Sequence, residues 1–184
     1  MIHSNIIRSN NLVLKNLEAN DATSLYLNWL SDSEINAYLE VRFSPPSSEL
    51  ELMKYINDCN NSTNTILFGI FIDNIGHIGN IKLGSIDWNH KIGEIGFLIG
   101  NKEHWGKGIA ARSIKLICEY AFKNLSLFKI TAGYYEENIA SKISLINSGF
   151  FFEGKRISHC FSKEGRSDLI LMGLINNNFK FTNV

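Results

Sequence analysis

Residues 104 to 122, His-Trp-Gly-Lys-Gly-Ile-Ala-Ala-Arg-Ser-Ile-Lys-Leu-Ile-Cys-Glu-Tyr-Ala-Phe, run a glycine-bearing turn straight into a helical pattern. Gly106 and Gly108 let the backbone approach a ligand closely, and the first turn of a helix carries N–H groups without internal partners at the positive end of its dipole. The chemistry on offer is anion binding: a diphosphate can be held there by main chain alone. Just upstream, Gly93-Glu94-Ile95-Gly96-Phe97-Leu98-Ile99-Gly100 reads as a buried strand. A strand, a short loop and a phosphate-binding helix start make a cofactor site. It is not a P-loop, because the Lys-Ser/Thr ending is absent, nor a dinucleotide fingerprint, because three glycines in the required spacing are absent. Lys107 and Arg112 are the nearest cations, and each reads as a phosphate contact or as solvated surface.

Periodicity indicates the elements that must position this site. Ala22, Leu25, Trp29 and Leu30, then Ile35, Tyr38 and Leu39, recur at helical intervals around the cap-forming Ser31-Asp32-Ser33, which predicts two short helices within 21–40. Ser47-Ser48-Glu49-Leu50-Glu51 reads as another helix start. The period then changes. Residues 65–72 are apolar and β-branched, Asp73 to Gly76 is turn chemistry, and 78–88 resumes as a strand, giving a hairpin that leads through a turn at 89–91 to the Glu94 strand. Helix 106–124, strand 129–135, helix 138–148 and strands 150–158 and 167–175 complete the order. On the 106–124 helix, Ala110, Ile114, Ile117, Cys118, Ala121 and Phe122 form a core stripe. A meander followed by β-α-β-α-β-β predicts an α/β fold, one mixed sheet with helices on both faces.

Composition sets outer bounds. A chain of 184 residues, 45% hydrophobic, suits one domain with a substantial core. Lys plus Arg and Asp plus Glu number 18 each, so no global field draws nucleic acid or an anionic membrane, and recognition must be local. The opening Met-Ile-His-Ser-Asn-Ile-Ile-Arg lacks the apolar run of a signal peptide, and no segment reaches the roughly 20 apolar residues of a membrane span, so the expected location is cytoplasmic. Cys59, Cys118 and Cys160 show no Cys-x-x-Cys spacing and the five histidines no His-x-x-x-His pair; no metal site is expected.

Trp105-Gly106-Lys107-Gly108-Ile109-Ala110 resembles the acetyl-CoA pyrophosphate loop of the GNAT N-acetyltransferases, Arg/Gln-x-x-Gly-x-Gly/Ala. Gly108 and Ala110 fill the last two places, and Trp105 stands where Arg or Gln is usual. Glu136-Glu137-Asn138-Ile139-Ala140-Ser141, followed by Asn147-Ser148-Gly149-Phe150, is similar to the family's Asn-x-x-Ser and Gly-Phe elements. Residues 12–17 and 21–39 look like its first strand and helices. The resemblance spans about residues 10–176 and is nearest to the RimJ/RimL-type branch. It implies a single domain over 1–184 with a GNAT-like, mostly antiparallel mixed sheet whose splayed parallel strand pair holds acetyl-CoA. It further implies cofactor contacts from residues 105–110, main-chain contacts from Phe97, Leu98 and Ile99 to the pantetheine arm, an oxyanion donor among those N–H groups, and Asn138 and Ser141 beside the arm.

Acetyl transfer to an amine needs the amine neutral, yet with a pKa near ~10 only about one part in a thousand is neutral at pH 7. A carboxylate at the site is the usual solution. Glu94 breaks an apolar strand beside the loop and is the first candidate base; by resemblance it matches a Glu often found on the family's fourth strand. It also reads as a solvated strand residue or as a partner of Lys82 on the neighbouring strand. Glu136 and Glu137 are competing bases. Where the family often places a Tyr as general acid, four residues before Gly-Phe, this chain has Leu145, so Ser141 becomes the candidate donor, with a helix cap or a pantetheine anchor as its alternatives.

The expected activity is acetyl-CoA-dependent N-acetylation of a primary amine. The RimJ/RimL-type resemblance implies a protein N-terminus of the ribosomal-protein type as acceptor; a nucleotide-linked amino sugar is the alternative, as is an inactive acyl-CoA-binding module. A polyamine or aminoglycoside is disfavoured, because polycations usually need an acidic cleft and the chain is balanced. Trp29, Tyr38, Arg42 and Phe43 read as acceptor-pocket lining or as helix packing, and a homodimer is compatible with the sequence.

Overall fold

The computed structural model describes residues 6–163 and 165–180. Residues 1–5, on which the absence of a leader was read, and the ends of the expected 1–184 unit lie outside the described residues. Apolar, β-branched segments build the sheet. β1 (Ile6–Ser9) and β2 (Leu12–Asn16) form a hairpin, then α1 (Ser24–Ser31) and α2 (Glu49–Asn61) precede β3 (Ile66–Ile72), β4 (Gly76–Asp87) and β5 (Ile92–Ile99). The second half runs α3 (Ile109–Asn124), β6 (Lys129–Tyr135), α4 (Ile139–Asn147), β7 (Phe151–Ser162) and β8 (Gly165–Ile175). All eight strands join one sheet in the order β1-β2-β3-β4-β5-β6-β8-β7. Every pairing is antiparallel except β5–β6. The expected α/β arrangement is the one that forms. Among the described residues no helix is long and apolar enough to cross a membrane.

The parallel pair is short. β5 and β6 are in register only from Ile92↔Lys129 to Ile95↔Ala132. Beyond that point β5 continues against β4 as far as Gly79↔Ile99, and β6 against β8 as far as Tyr135↔Leu169. The two strands therefore part, and the inner edges of 96–99 and 133–135 have no strand between them. This is the splay that the resemblance implied.

Each face of the sheet has its own core. Phe68, Ile81, Leu83 and Ile95 pack under Ile114 and Ile117 of α3, while Leu67 on the other face packs under Tyr26, Trp29, Leu52 and Ile56 of α1 and α2. Thr23 and Ser48 cap α1 and α2, accepting from the Tyr26 and Glu51 N–H groups. Trp29 lies directly on the end of β5: a β-carbon added at Gly100 would stand 1.9 Å from its indole. Gly100→Ala is expected to destabilise the fold by about 1–3 kcal/mol through overpacking, read as a lower thermal midpoint; an unchanged midpoint would show that this packing carries no stability.

The second helix expected within 21–40 does not form. Asp32 Oδ1 takes the N–H groups of Glu34 (2.8 Å) and Ile35 (3.2 Å), and the buried Asn36 amide donates to Leu30 O at 2.7 Å. These side chains satisfy the backbone in place of helical bonds. A run of turns results, ending in a short 3-10 segment, Glu40–Phe43. Lys102 ties these turns to the loop after β5, 2.8 Å from Asp32 and 2.6 Å from Glu34. That ammonium, with the two N–H groups, holds the Asp32 carboxyl down at about 2.

Candidate functional site

The glycine turn before α3 has the form an anion cradle needs. Gly106 and Gly108 have φ of +70° and +71°, a left-handed conformation that costs a residue with a β-carbon. A β-carbon on either would meet nothing within 4 Å. Gly108 is the N-cap of α3 and offers no side chain to cap it. The first helical bond runs from Arg112 N–H to Gly108 O at 3.1 Å, so the N–H groups of Ile109, Ala110 and Ala111 have no partner inside the helix. Open space in front of three free donors at a positive helix end fits a diphosphate.

The flanking side chains serve other ends. Trp105, in the Arg/Gln position of the motif, donates its indole N–H to Ile99 O at 2.7 Å and so fastens the loop to the end of β5. Arg112 donates to Asn11 Oδ1 at 3.0 Å. Lys107 is exposed and does not line the cleft.

A cleft of about 1370 Å³ connects this turn, the gap between β5 and β6, and the sheet face under α1 and α2. Phe97, Leu98 and Ile99 line it, as do Gly106, Gly108, Ile109, Ala110, Asn138 and Ser141. At its α4 wall, Asn138 Oδ1 accepts from Ser141 N–H at 3.1 Å, so Asn138 is the cap and Ser141 is free of that duty. Ser144 and Ser148 spend their hydroxyls on carbonyls one turn back, at 2.8 and 2.7 Å. The half-buried Ser141 makes no such bond. Leu145 is fully buried.

Glu94 lies on the α1/α2 face. It stands opposite Gly84, and Lys82 stands opposite Gly96, so Glu94 and Lys82 are diagonal neighbours rather than a facing pair. Among the described residues Glu94 has no ion pair or hydrogen-bond partner. It is exposed and lines the cleft. The competing bases do not: Glu137 accepts from the Ser167 hydroxyl, and neither it nor Glu136 lines the cleft.

Three other carboxylates line the cleft, each with a partner. Glu34 is held by Lys102, Glu40 accepts from the Tyr135 hydroxyl at 2.5 Å, and Glu51 takes the Ser47 N–H at 2.7 Å. Of the aromatic candidates, Tyr38 lines the cleft whereas Trp29 is core. Arg42 is bound to Phe161 O (2.6 Å) and the Tyr135 hydroxyl (3.0 Å), with Phe43 under its guanidinium.

Sequence reasoning missed Tyr26, Tyr55, Asn80, His104 and Tyr134 as cleft residues. Alternation placed Asn80 on the face of Lys82 and so could have found it. Tyr134 sits just past the point where the strands part, its ring buried; burial, with Glu136 nearby, raises its phenol pKa.

The comparisons agree with this geometry. Residues 11–150 match the Acetyltransferase (GNAT) domain model. The uncharacterized N-acetyltransferase p20 of Bacillus licheniformis is 30% identical over 171 residues, covering 91% of this chain and 94% of that protein. Spermidine N-acetyltransferase from Vibrio cholerae, solved with CoA and spermine, superposes with a TM-score of 0.82 at 26% identity over 93% of this chain and 99% of the other. Ribosomal-protein-S5-alanine acetyltransferase from Vibrio fischeri shares the fold, with a TM-score of 0.78 at 20% identity over 96% and 100%. The chain belongs to the GNAT acetyltransferase family and is a GNAT N-acetyltransferase.

Proposed function

We propose that this N-acetyltransferase moves the acetyl group of acetyl-CoA to a primary amine that enters from the α1/α2 face, with Glu94 as its base. The observation that carries the reading is Glu94 itself, a carboxylate on the cleft wall without a partner among the described residues, one residue before the last pair of the parallel strands. Acetyl-CoA supplies an activated acyl group as a thioester. The N–H groups at the start of α3 hold its diphosphate, with residues 105–110 forming the turn around it. Main-chain groups of Phe97, Leu98 and Ile99 meet the pantetheine arm, and one of their N–H groups donates to the acyl oxygen. Glu94 takes the ammonium proton, directly or through water, so that the neutral nitrogen can attack the acyl carbon; the carbon–sulfur bond then breaks, CoA leaves as its thiolate, and the second proton lost from nitrogen as the amide forms passes to that sulfur through solvent. Ser141 stands on the α4 wall with a free hydroxyl to hydrogen-bond the departing sulfur.

Among acceptors, one with a single ammonium fits better than a polyamine. The spermidine enzymes argue the other way, but here Glu34, Glu40 and Glu51 already have partners and Lys82 adds a positive charge to the same wall. A protein N-terminus of the kind associated with the RimJ/RimL-type branch offers a single ammonium, and so does an amino sugar carried on a nucleotide. The test is release of CoA thiol from acetyl-CoA over a panel of primary amines. Turnover on at least one amine is expected; acetyl-CoA binding without turnover on any would leave an acyl-CoA-binding module.

Ser141→Ala separates two roles. A hydrogen bond that strengthens as the sulfur leaves is worth about 1–2 kcal/mol, so a roughly tenfold fall in kcat is expected with acetyl-CoA affinity retained. Weaker affinity with kcat unchanged would make Ser141 an anchor for the arm. If neither constant moves, Ser141 leaves the site, and Tyr134→Phe becomes the variant to compare.

A further inference from the structure

Acetyl transfer itself leaves two donors on β4 without a use. Asn80, Lys82 and Gly84 alternate along β4 and face α1 and α2, opposite Leu98, Gly96 and Glu94 of β5. Lys82 is half-buried, lines the cleft and has no ion pair or hydrogen-bond partner among the described residues. Its ammonium lies 6.0 Å from the centre of the Tyr55 ring. Its stem crosses Gly84, with Cε 3.7 Å from the position a β-carbon there would take.

Asn80 is only 3% exposed, and its Nδ2 has no hydrogen-bond partner among the described residues. The orientation of its amide follows from its neighbour. His77 Nε2 is 2.9 Å from both Gly79 O and Asn80 Oδ1. A backbone carbonyl can only accept, so Nε2 carries the hydrogen and the Asn80 atom facing it is the oxygen. The unpaired Nδ2–H2 group is thus left on a residue of the cleft wall. Directly opposite Lys82 the floor is Gly96, where an added β-carbon would meet nothing within 4 Å.

A half-buried ammonium and a buried amide donor beside open floor are incomplete without an acceptor of hydrogen bonds, because a buried donor without a partner is costly to keep. A second ammonium on the substrate would meet repulsion here. We propose that Lys82 and Asn80 form an anion-reading subsite of the acceptor pocket, and that the acceptor is a small primary amine carrying a phosphate or carboxylate on the same skeleton. The proposal rests on the reading of the α1/α2 face as the acceptor side. Strand rise puts Lys82 about 7 Å and Asn80 about 13 Å along the sheet from the Glu94 level. The anion therefore belongs several bonds away from the amine, not on the adjacent carbon.

Matched amines test this. Glucosamine 6-phosphate against glucosamine varies one phosphate, 6-aminohexanoate against hexylamine varies one carboxylate, and spermidine supplies the polycation. With acetyl-CoA saturating, kcat/KM for the anionic member of at least one pair should exceed its neutral counterpart by about tenfold or more, as expected for a charged hydrogen bond. The pair that responds identifies the anion. In Lys82→Met that ratio should collapse toward one through a raised KM, and Lys82→Glu should shift preference toward spermidine. Asn80→Ala should reduce the same ratio, and Lys82→Met serves alone if that buried change fails to fold.

Three results overturn the subsite: wild-type preference for neutral amines or spermidine, no preference within either pair, or an equal loss on all amines in Lys82→Met with a displaced pH profile, which would make Lys82 a partner of Glu94. If no amine turns over, the proposed acceptor chemistry fails separately. Calorimetric titration of the same pairs into the CoA-bound protein then tests the subsite alone, and equal affinity for charged and neutral members refutes it.

Discussion

Glu94→Gln is expected to lower kcat at pH 7 about 100-fold or more, the range of a lost general base, while acetyl-CoA affinity stays near that of the wild type. The substitution keeps the size of the side chain, and Glu94 has no partner among the described residues to lose, so stability should hold. The pH profile distinguishes loss of a base from loss of a structural residue. With an alkyl amine of pKa near ~10 as the test acceptor, each pH unit above 7 raises its neutral fraction about tenfold. A variant lacking only the base should therefore recover relative to wild type as pH rises toward 9. A deficit constant across pH would point to acceptor positioning instead. Near-normal turnover at pH 7 would remove Glu94 from the chemistry and leave a water chain, because neither Glu136 nor Glu137 lines the cleft.

The parts of this site that were legible in the sequence are those fixed by local geometry. Two glycines ahead of an amphipathic helix announce a left-handed turn and free N–H groups whatever the rest of the chain does. Alternation likewise groups Asn80, Lys82 and Gly84 on one face of their strand and Glu94, Gly96 and Leu98 on one face of theirs. Their register is a different matter: a shift of two residues separates a facing ion pair from the diagonal that exists, and that is set by how the β4–β5 turn closes. The splay is equally silent, since Gly96-Phe97-Leu98-Ile99 reads as the same apolar strand whether or not β6 runs beside it. Asp32 and Asn36 show the opposite failure. Helical spacing was present through Tyr38, but side-chain hydrogen bonds to the backbone prevailed over it. Overall charge balance also misled by its scale. The carboxylates of the cleft do exist, and what argues against a polycation is that Glu34, Glu40 and Glu51 have partners of their own.

At the cradle, Gly108→Val should weaken acetyl-CoA binding by at least about 100-fold, or 2.8 kcal/mol. Two effects must be kept apart. A β-branched residue at φ +71° is strained, at a cost of about 1–3 kcal/mol, against a stability of about 5–15 kcal/mol for an ordinary domain. The fold should therefore survive with a lower thermal midpoint. The second effect is occupancy: the added methyls enter the open space before the Ile109, Ala110 and Ala111 N–H groups, where the diphosphate would bind. Gly76→Val controls for strain, since Gly76 also has positive φ, +101°, and open surroundings, but opens β4 where it pairs with Ile72, away from the cleft. It should cost stability and leave acetyl-CoA affinity unchanged. Gly108→Asn reverses the balance. Asn tolerates the left-handed region and is a favoured N-cap, so it should restore or raise the thermal midpoint. Its carboxamide oxygen would claim a helix N–H that the diphosphate needs, so affinity should still fall. Calorimetric titration of acetyl-CoA beside a thermal melt for each variant reads both quantities, and a folded Gly108→Val protein that binds acetyl-CoA like the wild type would place the diphosphate elsewhere.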